Sequence, residues 1–338
     1  MMSSETLTQV MLNAIEEELI RAVTQGHRQE LNNLYAMMAY HMGWEGEGAG
    51  VEARGKRIRP LLVCLTCAAA GGDWEKSLPA AAAVELVHNF SLLHDDIEDD
   101  SPTRRGRPTV WKKWGVPQAI NTGDAMLTLA HLTLLGLEST CSIQSAFQAS
   151  AILQETCLEL TQGQYLDMAF ESENEPSIEA YWLMISGKTA ALLAACTELG
   201  GLVAGCSQKE QQAYHEFGHT LGLAFQTQDD YLGIWGDEEL TGKSVESDLA
   251  AGKKTLPILF GLHQKGKFYE RWSQETIALE DVPALAQLLE NEGAKGYTQQ
   301  AADLLTRDAL QSLDTAHPKG VAGQALKNLA LRLLNRQG

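Results

Sequence analysis

The sequence predicts an all-α protein, folded as a single large helical bundle over residues 1–338. Apolar residues recur at intervals of three and four along most of the chain, whereas the period-two alternation of a half-buried strand is rare. Alanine and leucine, which are good helix formers, are abundant. The nine prolines mostly stand where a predicted helix begins or ends, and a hydrophobic content of 44% is enough for a large core.

The same periodicity places the helices in order. The first half of the chain is predicted to form helices over 4–24, 30–42, 58–71, 78–100, 117–138 and 143–170. The second half is predicted to form helices over 177–203, 208–235, 255–265, 283–291, 296–314 and 321–336. Prolines at helix boundaries are Pro60, Pro79, Pro117, Pro176 and Pro257. The helices after Gly266 carry no recognisable chemistry, so we expect them to pack on the outside of the bundle.

The charge balance excludes several kinds of partner. A formal net charge of −18 argues against nucleic acid, which needs a basic face, and against an anionic membrane surface. No apolar run is long enough for a membrane span. The start of the chain carries Glu5, Glu16, Glu17 and Glu18 in an amphipathic pattern, which is unlike a signal peptide.

The six cysteines lie mostly in apolar helical stretches. Cys64 and Cys67 have the spacing of a CxxC motif, but no second pair completes a zinc site, so we interpret them as core residues. Buried reduced thiols and the charged start of the chain together predict a cytoplasmic protein.

Two acidic clusters stand in apolar, helical surroundings, at 94–100 and 226–230. A dry helical core does not tolerate unpaired carboxylates, so a cation must meet them. Asp95 and Asp99 are one helical turn apart and point to one side. Two such clusters facing each other across a bundle would form an oxygen-rich cage suited to Mg²⁺.

Basic residues are grouped in this acidic chain, as Lys56, Arg57 and Arg59 and as Arg104, Arg105 and Arg107. Such groups favour a small anionic ligand over a polyanion. A loop over 101–114 follows the first acidic cluster, and a loop over 236–254 follows the second. The second loop contains Lys243, Lys253 and Lys254 and is predicted to be a lid over an anion.

Six motifs occur in an order that resembles the trans-isoprenyl diphosphate synthases, the polyprenyl synthetase family. The motifs lie within residues 55–257 and are Gly55-Lys56-Arg57-Ile58-Arg59-Pro60, Leu92 to Asp96 with Arg104-Arg105-Gly106, Gly163-Gln164-Tyr165-Leu166-Asp167, Gly187-Lys188-Thr189, Phe225 to Asp230, and Gly252 to Pro257. The resemblance implies a helical fold with a deep central cavity, a homodimer, and an Mg²⁺-dependent prenyltransferase. Such an enzyme joins isopentenyl diphosphate head-to-tail (1′-4) to an allylic diphosphate and releases pyrophosphate.

The resemblance also implies a role for each matching residue. Asp95, Asp99 and Asp229 would bind three Mg²⁺ ions, with Asp96 and Asp230 in support. The allylic diphosphate would be held by Arg104, Lys188, Lys243 and Lys253, and isopentenyl diphosphate by Lys56, Arg59, His88 and Arg105. Thr189 and Gln226 would line the carbocation, and Gln164 and Asp167 would complete the polar wall. Gly233 stands where the family often has a third aspartate, with Asp237 four residues on.

Product length depends on the residues just before Asp95. Ser91 is predicted to lie nearly below Asp95 and Phe90 further round the helix, with Val87 a turn lower. One aromatic with a small neighbour resembles the geranylgeranyl (C20) producers, and the alternatives are a farnesyl (C15) or a longer-chain product.

Other functions explain less of the sequence. His215, Glu216 and His219 match a zinc-protease HExxH pattern, and Glu85 with His88 matches a Glu-x-x-His motif of di-iron bundles. Both interpretations leave the aspartates and arginines unexplained. A terpene cyclase on the same fold usually lacks a clamp for isopentenyl diphosphate, and a regulatory subunit commonly loses one aspartate cluster.

Overall fold

The structure, a computed structural model, describes residues 3–236, 247–274 and 278–334 and is built mainly from α-helices. The helices of the first part are α1 (Ser4–Thr24), α2 (Asn32–His41), α3 (Val51–Arg54), α4 (Ile58–Ala70), α5 (Leu78–Glu98), α6 (Val110–Trp114), α7 (Val116–Leu135), α8 (Ile143–Ser172) and α9 (Ile178–Ile185). They continue as α10 (Ala191–Val203), α11 (Gln208–Trp235), α12 (Ser247–Ala250), α13 (Leu256–Gln264), α14 (Lys267–Trp272), α15 (Val282–Asn291), α16 (Ala294–Thr315) and α17 (Gly320–Leu334).

Short elements connect the helices. Turns of 3₁₀ helix lie at Gln29–Leu31, Trp74–Ser77, Gly136–Ser139 and Leu279–Asp281, and a π-helical turn lies at Ser186–Ala190. Strands β1 (Thr103–Arg104) and β2 (Arg107–Pro108) form an antiparallel hairpin. The prediction of an all-α fold is therefore confirmed, and most predicted helices agree with the observed bounds to within three residues.

The differences have simple causes. Helices α3, α6, α12 and α14 were not predicted, because four to six residues are too short to show a helical period. The single helix predicted over 177–203 is interrupted by the π-helical turn, which apolar periodicity does not reveal. Prolines lie in the first turn of α5, α7, α13 and α15, where their missing amide hydrogen costs nothing.

The described residues group into two compact units. Unit 1 comprises the described residues of 3–157, 195–212 and 316–326, and unit 2 those of 158–194, 213–315 and 327–334. The expectation of one domain and of a deep central cavity stays a prediction.

Unit 1 is organised around α5, which packs against α1, α4 and α7. Because neighbours surround it, α5 is buried without interruption from Pro79 to Val87. Cys64 and Cys67 are fully buried in α4, and burial raises the pKa of both thiols to about 12. Their interpretation as core residues is confirmed.

Unit 2 has its own hydrophobic core. Buried side chains of α9, α11, α13 and α15 meet there, among them Tyr181, Ile234, Leu256 and Leu285. This core includes Ile234 in the last turn of α11, one turn after Asp230 of the second acidic cluster. Within the described part of the chain, no helix is both long and apolar enough to cross a bilayer.

Candidate active site

The first acidic cluster lies at the C-terminal end of α5. The helix ends at Glu98, and the backbone N–H of Asp99 donates to the carbonyl oxygen of Asp95 at 2.9 Å. Asp95 and Asp99 therefore lie one turn apart on the same side, as predicted. Asp95 is half-buried and Asp99 is exposed. Carboxylates at this end oppose the helix dipole, so a nearby cation would stabilise them.

Asp96 differs from these two aspartates because it is buried. Arg104 Nε donates to Asp96 Oδ1 at 2.8 Å. Asp96 Oδ2 is buried, with no hydrogen-bond partner among the described residues. Burial raises the pKa of Asp96, although the Arg104 charge acts to lower it. An acceptor oxygen without a donor, next to Asp95 in sequence, fits the donor set of a hydrated Mg²⁺.

The hairpin after α5 presents the two arginines of this motif. Arg105 and Gly106 form its turn with φ angles of 51° and 73°, a combination typical of a two-residue hairpin turn. Arg105 Nη1 donates to the carbonyl oxygen of Ala53 at 2.9 Å. A Cβ atom at Gly55 would lie 2.7 Å from Arg105 Nη2, so the glycine at the start of the first basic motif makes room for the guanidinium.

A second contact places Arg59 beside His88. Arg59 Nη1 donates to His88 Nε2 at 3.2 Å, so this ring nitrogen carries no proton. The pKa of His88 lies well below its usual value because the ring is buried and lies near the charges of Arg59, Arg105 and Arg104. Burial also lowers the pKa of Arg59, and Arg59 Nε is buried without a hydrogen-bond partner among the described residues.

His41, at the end of α2, belongs to the same surroundings and was missed by the sequence analysis. Its pKa is lowered to about 3, first by burial and then by the charges of Arg104, Arg105 and Arg57. We call Arg59, His88, Arg104, Arg105 and His41 the basic group. A lone histidine at a helix end gives no signal in the sequence that would have singled it out.

The neighbouring arginines have a different role. Arg57 is buried and pairs with Glu85 at 2.9 Å and with Glu16 at 3.1 Å. Arg107 is also buried and donates to the backbone carbonyls of Tyr40, Glu45 and Glu47. Each basic sequence motif therefore contains one arginine that holds the fold together. Lys56 is exposed at the start of the same segment.

In unit 2, Asp230 is buried, and both of its carboxylate oxygens accept hydrogen bonds. Its Oδ2 accepts from the Tyr181 hydroxyl at 2.7 Å and from the backbone N–H of Leu256 at 3.0 Å. Its Oδ1 accepts from Gln226 Nε2 at 2.9 Å. Burial raises the pKa of Asp230 to about 7, although these hydrogen bonds act to lower it. Asp230 thus joins α9, α11 and α13, while Asp229 beside it is half-buried.

The π-helical turn connects to this network. Thr189 Oγ1 donates to Gln226 Oε1 at 2.9 Å, so a chain of hydrogen bonds runs from Thr189 through Gln226 to Asp230. A π-helical turn is rare and occurs often at functional sites. The resemblance implied that Thr189 and Gln226 both line the carbocation, and the two side chains are hydrogen-bonded to each other in the structure.

Lys188 lies on the same turn and forms an ion pair with Asp167 of α8. A close crossing of backbones makes this contact possible. A Cβ atom at Gly163 would lie 2.1 Å from the backbone nitrogen of Lys188, and one at Gly187 would lie 2.4 Å from the carbonyl oxygen of Glu159. The two glycine motifs of the sequence therefore belong to one crossing.

The remaining predicted residues are placed as follows. Gln164 is half-buried on α8, Lys253 is exposed after α12, and Lys243 and Asp237 lie outside the described residues. Val87 is fully buried, whereas Phe90 and Ser91 are half-buried. The Phe90 ring meets the His94 ring edge-on at 4.9 Å between centroids, and Ser91 Oγ donates to the carbonyl of His88 at 2.9 Å.

The alternative metal motifs do not form sites. His219 Nε2 lies 2.8 Å from Ser186 Oγ, and Glu85 accepts hydrogen bonds from Arg57 and Asn89. In the ranges that the structure describes, no three His, Cys, Asp or Glu side chains are grouped closely enough to hold a metal ion by themselves.

Comparison with known proteins identifies the family. The polyprenyl synthetase family matches residues 49–289. The chain belongs to the polyprenyl synthetase family. The resemblance recognised from the six motifs is thereby confirmed, and with it the prenyltransferase class of the enzyme.

Members of this family similar to the chain include two proteins of Mycobacterium tuberculosis (strain ATCC 25618 / H37Rv). One, named (2E,6E)-farnesyl diphosphate synthase, is 40% identical over 89% of this chain and 86% of its own length. The other, named geranylgeranyl diphosphate synthase, is 42% identical over 84% of this chain and 82% of its own length. The comparison does not separate the two product lengths.

Solved structures of polyprenyl synthetase family members share the fold. A polyprenyl synthetase from Streptomyces coelicolor A3(2) matches with a TM-score of 0.86 and 34% identity, over 96% of this chain and 98% of that one. A polyprenyl synthase from Caulobacter crescentus CB15, complexed with calcium and isoprenyl diphosphate, matches with a TM-score of 0.81 and 28% identity, over 99% and 98% of the two chains.

Proposed function

We propose that this prenyltransferase joins isopentenyl diphosphate head-to-tail (1′-4) to an allylic diphosphate and releases pyrophosphate. The observation that carries the proposal is the basic group, in which the half-buried Arg59 donates from Nη1 to an uncharged histidine. The opposite charge that acts on Arg59 and Arg105 is Glu85, which is already paired with Arg57, so an anion is expected to complete this site. The names of the relatives, which are prenyl diphosphate synthases, agree with a diphosphate.

Unit 1 would bind isopentenyl diphosphate. Among the described residues, Arg59 Nε is a buried donor without a partner, and the hydrogen bond given for Arg105 uses Nη1 alone, so other N–H groups remain for a ligand. His88 orients Arg59 through their hydrogen bond. Lys56, exposed at the same segment, would add a further charge.

The resident cation would be Mg²⁺, with three ions when a diphosphate is bound. Asp95, Asp99 and Asp229 would hold these ions, and the oxygen-only donor set fits this metal. No described cluster of side chains holds a metal by itself, so the diphosphate would supply further oxygen ligands. Bound Mg²⁺ would neutralise the allylic diphosphate and make it a good leaving group.

The chain's own residues would do the remaining work. Arg104, Lys188 and Lys253, with Lys243 from outside the described residues, would hold the allylic diphosphate. Thr189 and Gln226 hold each other in a fixed orientation, so their oxygen dipoles can stabilise the allylic cation as it forms. The double bond of isopentenyl diphosphate, fixed by the basic group, would attack this cation. A proton is then lost to the departing pyrophosphate.

We infer a C20 product, geranylgeranyl diphosphate, with farnesyl diphosphate (C15) as the alternative. The half-buried Phe90 has its ring against His94, and the residue one turn before Asp95 is the small, half-buried Ser91. One relative is named as a farnesyl diphosphate synthase, which supports the C15 alternative.

We also infer a homodimer. Large apolar side chains of α7 and α8 in unit 1 are exposed, with Ile143 at 81%, Phe147 at 73% and Leu135 at 51%. Exposed apolar side chains of this size favour an interaction surface on these two helices. Sedimentation of the Phe147→Glu variant would show monomers if this surface joins two chains, and unchanged dimers would exclude it. The cytoplasmic location stays a prediction.

Product analysis tests the proposed function. The purified protein would be incubated with Mg²⁺, isopentenyl diphosphate and, in turn, dimethylallyl, geranyl and farnesyl diphosphate, and the dephosphorylated alcohols chromatographed. We expect a C20 alcohol from all three primers. A C15 limit would keep the synthase and overturn our account of product length, and no elongation with any primer would contradict the function.

A pair of variants connects the activity to the acidic end of α5. Asp95→Ala with Asp99→Ala should lower the rate more than about a hundredfold, because metal sites lose this much when even supporting groups are removed. Glu98→Ala, which removes an exposed carboxylate from the same helix end, is the matched control. Unchanged product formation in the double variant would rule out catalysis at this site.

A further inference from the structure

The π-helical turn at Ser186–Ala190 lies against one face of α11, and a hydrogen bond at each end joins the two. Near the end of the turn, Thr189 Oγ1 donates to Gln226 Oε1 at 2.9 Å. At its start, Ser186 Oγ is hydrogen-bonded to His219 Nε2 at 2.8 Å. The first and the last polar side chains of the turn are therefore both attached to α11.

Between these two hydrogen bonds the backbones lie very close together. A Cβ atom at Gly222 would lie 2.5 Å from Ala190 Cα, which is far below van der Waals contact. His219, Gly222 and Gln226 are spaced by three and four residues, so they lie on one side of α11. This face of the helix therefore contacts the turn through two hydrogen bonds with a glycine between them.

The imidazole of His219 takes part as a neutral group. His219 is half-buried, and its ring is stacked on that of His215 with 6.3 Å between the centroids. Burial lowers the pKa of His219, and the His215 charge lowers it further. The ring is therefore uncharged at neutral pH, where it can still share a hydrogen bond with a hydroxyl.

The conformation of the turn decides where its side chains point. A π-helical turn contains one residue more than an α-helical turn and is rare. Each residue advances about 100° round an α-helix, so a return to α-helix would rotate one part of the segment by that angle against the other. Lys188 would then leave Asp167, or Thr189 would leave Gln226. The contacts of the turn with α11 oppose this change.

We propose that His219 is a positioning residue that holds the π-helical turn in place through its hydrogen bond to Ser186. The turn orients Lys188 and Thr189 toward the allylic substrate. This inference rests on the proposed function, in which Lys188 holds the allylic diphosphate and Thr189 stabilises the cation. His219 acts on the reaction only through the turn, so a histidine of an HExxH pattern has a role here that needs no metal.

The crossing with α8 is the competing explanation for the shape of the turn. Cβ atoms at Gly163 and Gly187 would collide with the facing backbones, so α8 also constrains this segment. If α8 alone fixed the turn, loss of the hydrogen bond between His219 and Ser186 would change stability and leave catalysis as it is. Variants of these two side chains separate the explanations, because neither lies on α8.

The experiment compares His219→Leu, Ser186→Ala, the double variant and His219→Gln, whose side-chain amide can still bond to the Ser186 hydroxyl. His263→Leu removes an exposed histidine elsewhere in unit 2 and is the matched control. Elongation with Mg²⁺, isopentenyl diphosphate and the allylic primer that the wild type uses fastest gives kcat and the KM of each substrate. Amide hydrogen exchange over residues 186–190, measured by mass spectrometry without substrates, reports on the turn independently of activity.

We expect His219→Leu and Ser186→Ala each to lower kcat by about 10- to 100-fold, because a displacement of about 1 Å in a catalytic group has an effect of this size. The double variant should fall no further than the larger single effect, since both changes break the same hydrogen bond. The KM for isopentenyl diphosphate, which unit 1 would bind, should change by less than about threefold. His219→Gln should recover most of the rate. Amide exchange in the turn should be faster in both single variants and unchanged in the control.

Wild-type kcat in His219→Leu and Ser186→Ala would overturn the inference, and so would losses that add up in the double variant. Unchanged amide exchange in the turn would overturn it as well, even if kcat falls. If His219→Leu does not fold, Ser186→Ala, which removes a single oxygen atom, decides alone. In all these cases the wild type still elongates its primer, so the proposed function stands. A wild-type protein that elongates no primer would overturn the proposed function, and the inference with it.

Discussion

In unit 1, the half-buried Arg59 donates to the uncharged ring of His88, whereas in unit 2 the buried carboxylate of Asp230 accepts hydrogen bonds from a hydroxyl, a side-chain amide and a backbone amide. Both groups bear a cost of desolvation. In Asp230 both oxygens accept hydrogen bonds, whereas Arg59 Nε is a buried donor without a partner among the described residues. The difference indicates which buried polar group serves the fold and which one is kept for a ligand.

A second contrast lies within unit 1. Arg57 and Arg59 are two residues apart, yet Arg57 has two carboxylate partners and Arg59 contacts only a histidine among the contacts described for it. The same residue type in one sequence motif thus has two roles. The difference follows from the packing of Glu16 and Glu85, which no pattern near residue 57 indicates.

The largest expected effect comes from breaking the buried ion pair between Arg57 and Glu85. Arg57→Met should lower the free energy of unfolding by about 3 to 5 kcal/mol, because Glu85 stays buried without its cation. Urea unfolding followed by circular dichroism measures this change. A loss below about 1 kcal/mol would mean that Glu85 finds another partner or protonates at no cost.

In unit 2, Asp230→Ala should lower the free energy of unfolding by about 3 kcal/mol. The Tyr181 hydroxyl and the Leu256 amide would lose their acceptor in a buried place. Asp230→Asn is the matched control and should cost about 1 kcal/mol, since an amide oxygen still accepts from both donors. Equal costs for the two variants, measured by urea unfolding, would show that the charge of Asp230 matters more than its hydrogen bonds.

A smaller effect depends on pH and concerns His41. Its pKa is about 3 in the folded protein against 6.5 for an ordinary histidine, so the unfolded chain binds more protons between these values. Stability supplied by the neutral ring is complete above about pH 6.5 and is lost as the pH falls toward 3. The expected slope is about 1.4 kcal/mol per pH unit, which gives about 2 kcal/mol between pH 6.5 and pH 5.

His41→Gln removes this contribution while keeping a polar side chain. Unfolding free energies at pH 7 and pH 5 should therefore differ by about 2 kcal/mol more in the wild type than in the variant. Identical pH dependence in both proteins would show that His41 titrates normally and does not lie in the field of the basic group.

Much of the fold could be predicted from the sequence, because long amphipathic helices such as α1 and α11 repeat their apolar residues over many turns. The π-helical turn at Ser186–Ala190 could not, since a single extra residue in a turn leaves the apolar pattern almost unchanged. Short helices such as α6 could not be predicted either, because they are too short to show a helical period. The Asp95 and Asp99 pair was predictable because helical spacing alone places two carboxylates on one side.

Contacts between segments that are distant in the chain could not be predicted from the sequence. Nothing near Asp230 indicates that Leu256 donates to it, and nothing near Gly233 indicates that Asp248 fills the space beside it. His41 joined the basic group only through the packing of α2 in unit 1. Residues within motifs are therefore evident from the sequence, whereas those that tertiary packing adds are not.

The comparison of the two arginines gives the most direct test of the claim that unit 1 keeps Arg59 for a diphosphate. Arg59→Met and Arg57→Met would be compared by calorimetric titration with isopentenyl diphosphate and by urea unfolding. We expect Arg59→Met to be as stable as the wild type or more so, and to bind isopentenyl diphosphate about 10- to 100-fold more weakly. Wild-type affinity in Arg59→Met, together with a loss of several kcal/mol in stability, would show that Arg59 serves the fold and would contradict the account.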